Sequence, residues 1–199
     1  IYDDYHATDG WHWSDRTVNG RVERYLFSPS RGWSSPDYAS TMPTEPHLLD
    51  AFLRVRVLGS TSQDEAVFVA IGDMLRAEAA TPAVRAAAIG VLGLNPRVTV
   101  AHTDDPQGRR ALKVTFADPA ARPGMEQFLY LDPSTGLLLG SGSQWDSGFY
   151  QSTILRREIV DALREALTST VGTERIATMY DRGRVELMPG DAGPDPAPV

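Results

Sequence analysis

The apolar residues in the middle of the chain first repeat with a helical period and then with a strand period. Across residues 45–93 they recur every three to four positions, which is the spacing of amphipathic helices. Across residues 97–102 and 111–116 they alternate with polar residues, as in strands that bury one face. A run of helices followed by a run of strands is typical of an α+β fold.

Helix boundaries are marked by capping residues. The periodicity predicts helices over residues 45–58, 62–79, 82–93 and 153–170. The second begins with the capping box Ser62-Gln63-Asp64-Glu65. The third has Thr81 as its N-cap and Pro82 in its first turn, and Gly93 stands where a left-handed residue would end it.

Turn residues separate the predicted strands. The strands of the central meander are expected at 97–102, 111–116, 127–131 and 136–140, with shorter strands in residues 1–40 and a last hairpin in residues 175–187. We therefore predict a strongly curved antiparallel sheet with three to four helices on one side. It forms one domain over residues 1–188, and the Pro/Gly-rich residues 189–199 are expected to be disordered.

The sequence FLYLDPSTGLLLG, residues 128–140, raises the question of a nucleophile or a phosphate loop. Ser134 and Thr135 lack the glycine spacing of a nucleophile elbow, and no lysine follows as a P-loop requires. Asp132 can accept backbone N–H groups, Pro133 sets the first corner, and Gly136 supplies a positive φ. The stretch is therefore interpreted as a hairpin turn.

Charge and composition exclude several classes of function. The net charge of −7 and the pI of about 5.0 argue against a nucleic-acid surface, which requires a basic patch. The chain has no cysteine, so disulfides and thiolate chemistry are excluded. No apolar run is long enough for a membrane span. No sequence motif predicts a cofactor.

Two groups of residues are candidates for a site. An acidic and histidine-containing patch near the N-terminus could hold a metal, although its spacing is irregular and short strands explain it as well: Asp3, Asp4, His6, Asp9 and His12. His102 alternates with two valines and is interpreted as a half-buried strand histidine. The tryptophans either cover a sheet face or line a cleft for a ligand or partner: Trp11, Trp13, Trp33 and Trp145.

The order of motifs across residues 42–140 resembles the extracytoplasmic C-terminal region of an uncharacterised actinobacterial family of membrane-anchored proteins, often encoded beside extracytoplasmic-function sigma factors. The residues that carry the resemblance are Met42-Pro43-Thr44-Glu45-Pro46, Leu94-Asn95-Pro96-Arg97-Val98, Asp105-Pro106-Gln107-Gly108-Arg109, and Asp132-Pro133 with Thr135-Gly136 and Leu138-Leu139. These motifs are turns and caps, and the family brings no catalytic residues to this sequence.

The resemblance implies an extracytoplasmic domain with a membrane anchor upstream of Ile1 and a regulatory or sensory role. The main functional hypothesis is thus a non-enzymatic ectodomain that binds a partner protein or a small apolar ligand. A lipid or hydrophobic-ligand carrier, with the curved sheet as the cavity, is the first alternative. An enzyme that uses the N-terminal His/Asp patch is the second.

Overall fold

The computed structural model describes residues 2–6, 12–18, 21–27, 36–78, 80–155, 157 and 184–187. The chain divides into two compact units, one formed by Ile1–Pro36 with Glu158–Val199 and the other by Asp37–Arg157. The single domain over residues 1–188 stays a prediction. The tail at 189–199 lies outside the described residues.

The first unit contains a four-stranded antiparallel sheet. Its strands are β1 (Tyr2–His6), β2 (His12–Val18), β3 (Arg21–Phe27) and β9 (Arg184–Leu187), in the order β1-β2-β3-β9. The short antiparallel strands predicted for residues 1–40 are confirmed. Strand β9 pairs with β3. The other half of the predicted C-terminal hairpin, residues 175–180, lies outside the described residues.

The second unit contains the predicted helices. They are α2 (Pro46–Arg56), α3 (Gln63–Arg76) and α4 (Pro82–Leu94), after a short α1 (Pro36–Ser40). The Ser62 and Thr81 hydroxyls accept from the amides of Glu65 and Val84, so both predicted N-caps are confirmed. Of the helix predicted over 153–170, Thr153 belongs to a strand, and residues 158–170 lie outside the described residues.

The predicted end of the third helix is wrong. Gly93 lies inside α4 without a positive φ, and Asn95 is the C-cap. The Asn95 amide donates to the carbonyl of Leu92, and its side-chain oxygen accepts from the Arg97 amide. Because Asn95 closes the helix in an extended conformation, no left-handed glycine is needed there.

The meander is a five-stranded antiparallel sheet in sequence order. Its strands are β4 (Val98–Asp104), β5 (Arg110–Ala117), β6 (Glu126–Leu131), β7 (Leu138–Trp145) and β8 (Gly148–Thr153). The α+β fold with a curved antiparallel sheet and helices is confirmed. However, the prediction ended the fourth strand at Gly140 and contained no fifth strand, whereas β7 continues through Gly142 and turns into β8.

The helices pack on one face of this sheet. Phe68 of α3 contacts Phe116 of β5, with ring centroids 5.3 Å apart. Leu129 of β6 packs against Gly72 of α3, where a Cβ atom would lie 3.4 Å from the leucine methyl group. Residues 99–104 of β4 are all exposed, so His102 is exposed rather than half-buried. The alternation of apolar residues in β4 therefore does not mark a buried face.

Candidate functional site

A small cleft lies where α3 crosses strands β6, β7 and β8. Its volume is about 100 Å³. Sites for drug-sized ligands enclose roughly 300–1,000 Å³, so this cleft fits one side chain or a similarly small group. The lining residues are Phe68, Val69, Gly72, Asp73, Arg76, Gln127, Phe128, Leu129, Ser141, Gly142, Ser143 and Tyr150.

The floor of the cleft is apolar and rigid. Phe68 and Leu129 are both buried. Gly72 has no side chain, so α3 lies close to Leu129 and leaves the depression beside it. Because these residues belong to the close-packed core of the unit, the floor is formed before any ligand arrives.

The polar end of the cleft is built around Arg76. Its guanidinium pairs with Asp73 at 2.6 Å, one turn earlier in α3. It also donates to the Ser141 hydroxyl of β7 at 3.2 Å. The Ser141 hydroxyl in turn lies 3.3 Å from that of Ser152 in β8. The guanidinium is half exposed while its position is fixed, and this arrangement suits recognition of a carboxylate or carbonyl.

A buried carboxylate supports the cleft from below. Glu65 accepts from the Thr61 amide at 2.9 Å and from the Gln127 side chain at 2.6 Å, and it pairs with Arg122 at 2.7 Å. Its side chain is almost wholly buried. Partners of this kind offset the cost of burying a charge. They also hold Gln127, which lines the cleft, in one orientation.

An exposed tyrosine lies at the rim of the cleft, and a tryptophan lies further along the same sheet face. Tyr150 in β8 lines the cleft and is 60% exposed, and Trp145 at the end of β7 is 41% exposed. The register pairs Tyr150 with Ser143 and Trp145 with Gly148, so both aromatic residues belong to the sheet face that carries α3. Phe149, the neighbour of Tyr150, is 73% exposed and belongs to the opposite face.

Among the predicted tryptophans, Trp145 lies on the same sheet face as the cleft but is not one of its lining residues. Trp13 is in β2, where only its backbone position is described, and Trp11 and Trp33 lie outside the described residues. Whether the four tryptophans form one binding surface stays a prediction. Arg76, Ser141 and Tyr150 were missed at the sequence level. Their only signal was an arginine in the last turn of a helix and an aromatic residue after a Gly-Ser repeat.

The N-terminal His/Asp patch is partly described. The register of β1 and β2 places His6 directly opposite His12 and Asp3 opposite Asp15, whereas Asp9 lies outside the described residues. Within the part of the chain that the structure describes, no group of three or more potential ligands could hold a metal ion. The metalloenzyme alternative therefore stays a prediction that metal analysis of the purified protein can test.

The Asp132 turn has the structure predicted for it. One carboxylate oxygen of Asp132 accepts from the hydroxyls of Ser134 and Thr135 at 2.6 and 3.0 Å, and from their amides at 2.9 and 2.8 Å. Bonds from Ser134 and Thr135 lower the pKa of Asp132 to about 2. Gly136 has a φ of +67°. Both hydroxyls donate to the carboxylate that shapes the turn, so their role here is structural.

A second aspartate shapes the turn between β4 and β5. Burial raises the pKa of Asp105, but hydrogen bonds from the side chain and backbone of Arg109 and from the Gln107 amide outweigh this effect, so its pKa lies below the ordinary value. Arg109 also donates to the carbonyl of Leu139 in β7 at 3.2 Å. This turn is thereby anchored to the sheet.

Comparison with known protein families, curated proteins and solved structures finds no match. The resemblance to the actinobacterial membrane-anchored family therefore stays a prediction. None of the helices among the described residues is long and apolar enough to cross a membrane.

Proposed function

We propose that the unit formed by Asp37–Arg157 is a non-enzymatic binding domain that docks a segment of a partner protein at the cleft between α3 and β8. The observation that carries this proposal is the combination, at one place, of an apolar depression, a positioned arginine and an exposed tyrosine. Trp, Tyr and Arg are the residue types that dominate the binding energy of protein interfaces.

The size of the cleft favours a protein segment over a free lipid. A volume of about 100 Å³ accepts a single aliphatic side chain. A partner would insert that side chain between Phe68 and Leu129, lay its backbone against Tyr150, and offer a carbonyl or carboxylate to Arg76. The lipid-carrier alternative would need a larger cavity than this cleft provides.

The cellular setting of the proposal rests on the resemblance alone. We propose that the domain lies outside the cytoplasmic membrane, anchored by a segment upstream of Ile1, and that partner binding has a regulatory or sensory role, as in a family often encoded beside extracytoplasmic-function sigma factors. Fractionation of cells expressing the full gene, with this domain followed by antibody, tests the location. Recovery in the soluble cytoplasmic fraction would refute it.

The binding proposal is tested by selecting peptides from a random display library on the immobilised full chain. Selected peptides should bind more weakly to Tyr150→Ala and Arg76→Ala, by about 30-fold for a hot-spot residue. Phe149→Ala is the matched control, because Phe149 is the adjacent exposed aromatic residue on the opposite face. Peptides that bind all three variants equally would show that the cleft is not the site.

A further inference from the structure

Strand β4 forms an edge of the five-stranded sheet, and among the described residues no other strand pairs with its outer side. Residues 99–104 are all exposed, and Val100 is 55% exposed. The strand pairs with β5 over seven consecutive residues without a register shift. Its sequence, VTVAHTD, contains no lysine or proline. Edge strands are normally protected by such residues or by bulges, so an unprotected edge of this length is suited to pairing with another strand.

The hydrogen bonds at both ends of β4 show which backbone groups point outward. The Ala117 amide donates to the Arg97 carbonyl at 3.1 Å, and the Asp105 amide donates to the Arg109 carbonyl at 2.8 Å. In an antiparallel pair, hydrogen-bonded positions alternate. The odd-numbered residues of β4 therefore bond to β5, and the amides and carbonyls of Val100, His102 and Asp104 point away from the sheet. The Val98 amide is the exception, since it donates to the Asn95 carbonyl at 3.0 Å.

We propose that this edge pairs with β4 of a second copy of the chain, antiparallel about a two-fold axis at Ala101, to form a continuous ten-stranded sheet. In this register Val100 of one copy faces His102 of the other, and Val98 faces Asp104. The backbone groups of these residues point outward and can bond across the axis, except for the Val98 amide, which already donates to the Asn95 carbonyl. A register centred on Val100 or on His102 would leave one of the four outward-pointing residues without a partner.

The side chains are self-complementary in the same register. Ala101 meets Ala101 at a non-hydrogen-bonded position, where strands approach most closely and a small residue fits. Thr99 faces Thr103, a favourable cross-strand pair. The acidic Asp104 at one end of the strand lies next to the Arg97 end of the other copy, and no like charges face each other. An isologous contact of this kind closes as a dimer without further growth.

The expected affinity is modest. A seven-residue strand pair buries less than the roughly 800 Å² per partner of a standard interface. We therefore expect reversible dimers with a dissociation constant on the order of 10–100 µM. This proposal is independent of the proposed partner cleft, which lies toward the opposite edge of the sheet, at β8.

The register is tested by cysteine cross-linking, for which the cysteine-free chain is well suited. Ala101→Cys should form a disulfide-linked dimer under mild oxidation. Thr99→Cys or Thr103→Cys alone should form no such dimer. In this register each of these residues lies about four residues, or roughly 13 Å, from the equivalent residue of the second copy. An equal mixture of Thr99→Cys and Thr103→Cys should cross-link again. If Ala101→Cys cross-links no better than Thr103→Cys, the proposed register is wrong.

Sedimentation velocity over a range of concentrations tests the dimer without cross-linking. Ala101→Lys places two cations together at the axis and should raise the dissociation constant at least tenfold. Ala120→Lys is the control, because Ala120 is exposed in the loop between β5 and β6, and it should leave the constant unchanged. A wild-type chain that stays monomeric at about 1 mM, well above the expected constant, would overturn the proposal. Circular dichroism confirms that both variants are folded.

Discussion

At the scale of single residues, the Asp132 turn shows how far local chemistry determines structure. An aspartate, a proline, two hydroxyls and a glycine over five positions were enough to predict the bend and its positive φ. The structure adds what the sequence could not: the Arg85 side chain of α4 donates to the Thr135 carbonyl at 3.0 Å. The turn is thus fastened to a helix some fifty residues away in sequence.

The lowered pKa of Asp132 predicts a specific dependence of stability on pH. Because the pKa of Asp132 in the folded protein is about 2, against an ordinary value of 3.8, its contribution is complete above roughly pH 4 and is lost as the pH falls through 2. Asp132→Ala should lower the free energy of unfolding by roughly 1–2 kcal/mol at pH 7, and by much less at pH 2. Urea unfolding followed by tryptophan fluorescence at both pH values measures the difference.

The control for this experiment is Glu126→Gln, which removes an exposed carboxylate from β6. It should change stability little at either pH, since exposed charges without a strong partner contribute little. A loss for Asp132→Ala that is equally large at pH 7 and pH 2 would show that the charge of Asp132 is not what stabilises the turn.

Other single residues were beyond local prediction. Gly93 has the sequence signature of a helix end, but Asn95 forms the C-cap two residues later. His102 alternates with valines as a half-buried residue would, but residues 99–104 of the edge strand β4 are all exposed. The end of the helix and the exposure of the histidine both depend on residues that are close in space but not in sequence. The periodicity of apolar residues along the chain does not predict such neighbours.

At the scale of secondary-structure elements, the glycines of β7 explain the strand that was not predicted. The segment Gly140-Ser-Gly-Ser has no apolar alternation, so no strand was predicted beyond Gly140. In the fold, however, both neighbouring strands lie so close that a Cβ on Gly142 would be 2.6 Å from the Phe128 ring of β6 and closer still to the Tyr150 carbonyl oxygen of β8. Glycine is required there by close approach, which is known only once the sheet is assembled.

We expect Gly142→Ala to destabilise the protein by about 2–3 kcal/mol, since the new methyl group overlaps backbone and ring atoms that cannot move independently. Gly93→Ala is the matched control. A Cβ at Gly93 meets nothing within 4 Å, and alanine is the better helix former, so this variant should gain about 0.5–1 kcal/mol. Urea unfolding of both variants measures the effects. Equal and small effects would contradict the close approach of β8.

At the scale of the whole molecule, the candidate site is a product of topology. Arg76 and Ser141 are 65 residues apart in sequence but within hydrogen-bonding distance. The sequence predicted the helix and most of the sheet separately, because each has its own period. It did not predict the cleft, which exists only where α3 crosses β7 and β8. Trp145 was chosen as an aromatic residue, and its place on the sheet face that carries α3 could not be foreseen.

The division of the chain predicts that residues 37–157 fold without the rest. The hydrophobic cluster formed by α2, α3, α4 and the five-stranded sheet lies within this range. Its last residues are anchored: the Ile154 amide donates to the Leu139 carbonyl at 2.8 Å, and Arg157 pairs with Glu78 at 2.6 Å. A fragment of residues 37–157 should therefore unfold in a single cooperative transition and keep its near-ultraviolet circular dichroism.

A shorter fragment, residues 37–145, provides the contrast because it lacks β8. Removing β8 leaves β7, with its two glycines, as an unprotected edge, and it takes away the Ser152 partner of Ser141 and the Ile154 partner of Leu139. This fragment should be less stable and should aggregate more readily. If instead residues 37–157 formed a compact state without fixed tertiary packing, the fold of this unit would depend on residues outside it. Peptide binding would then be a property of the whole chain and not of this unit alone.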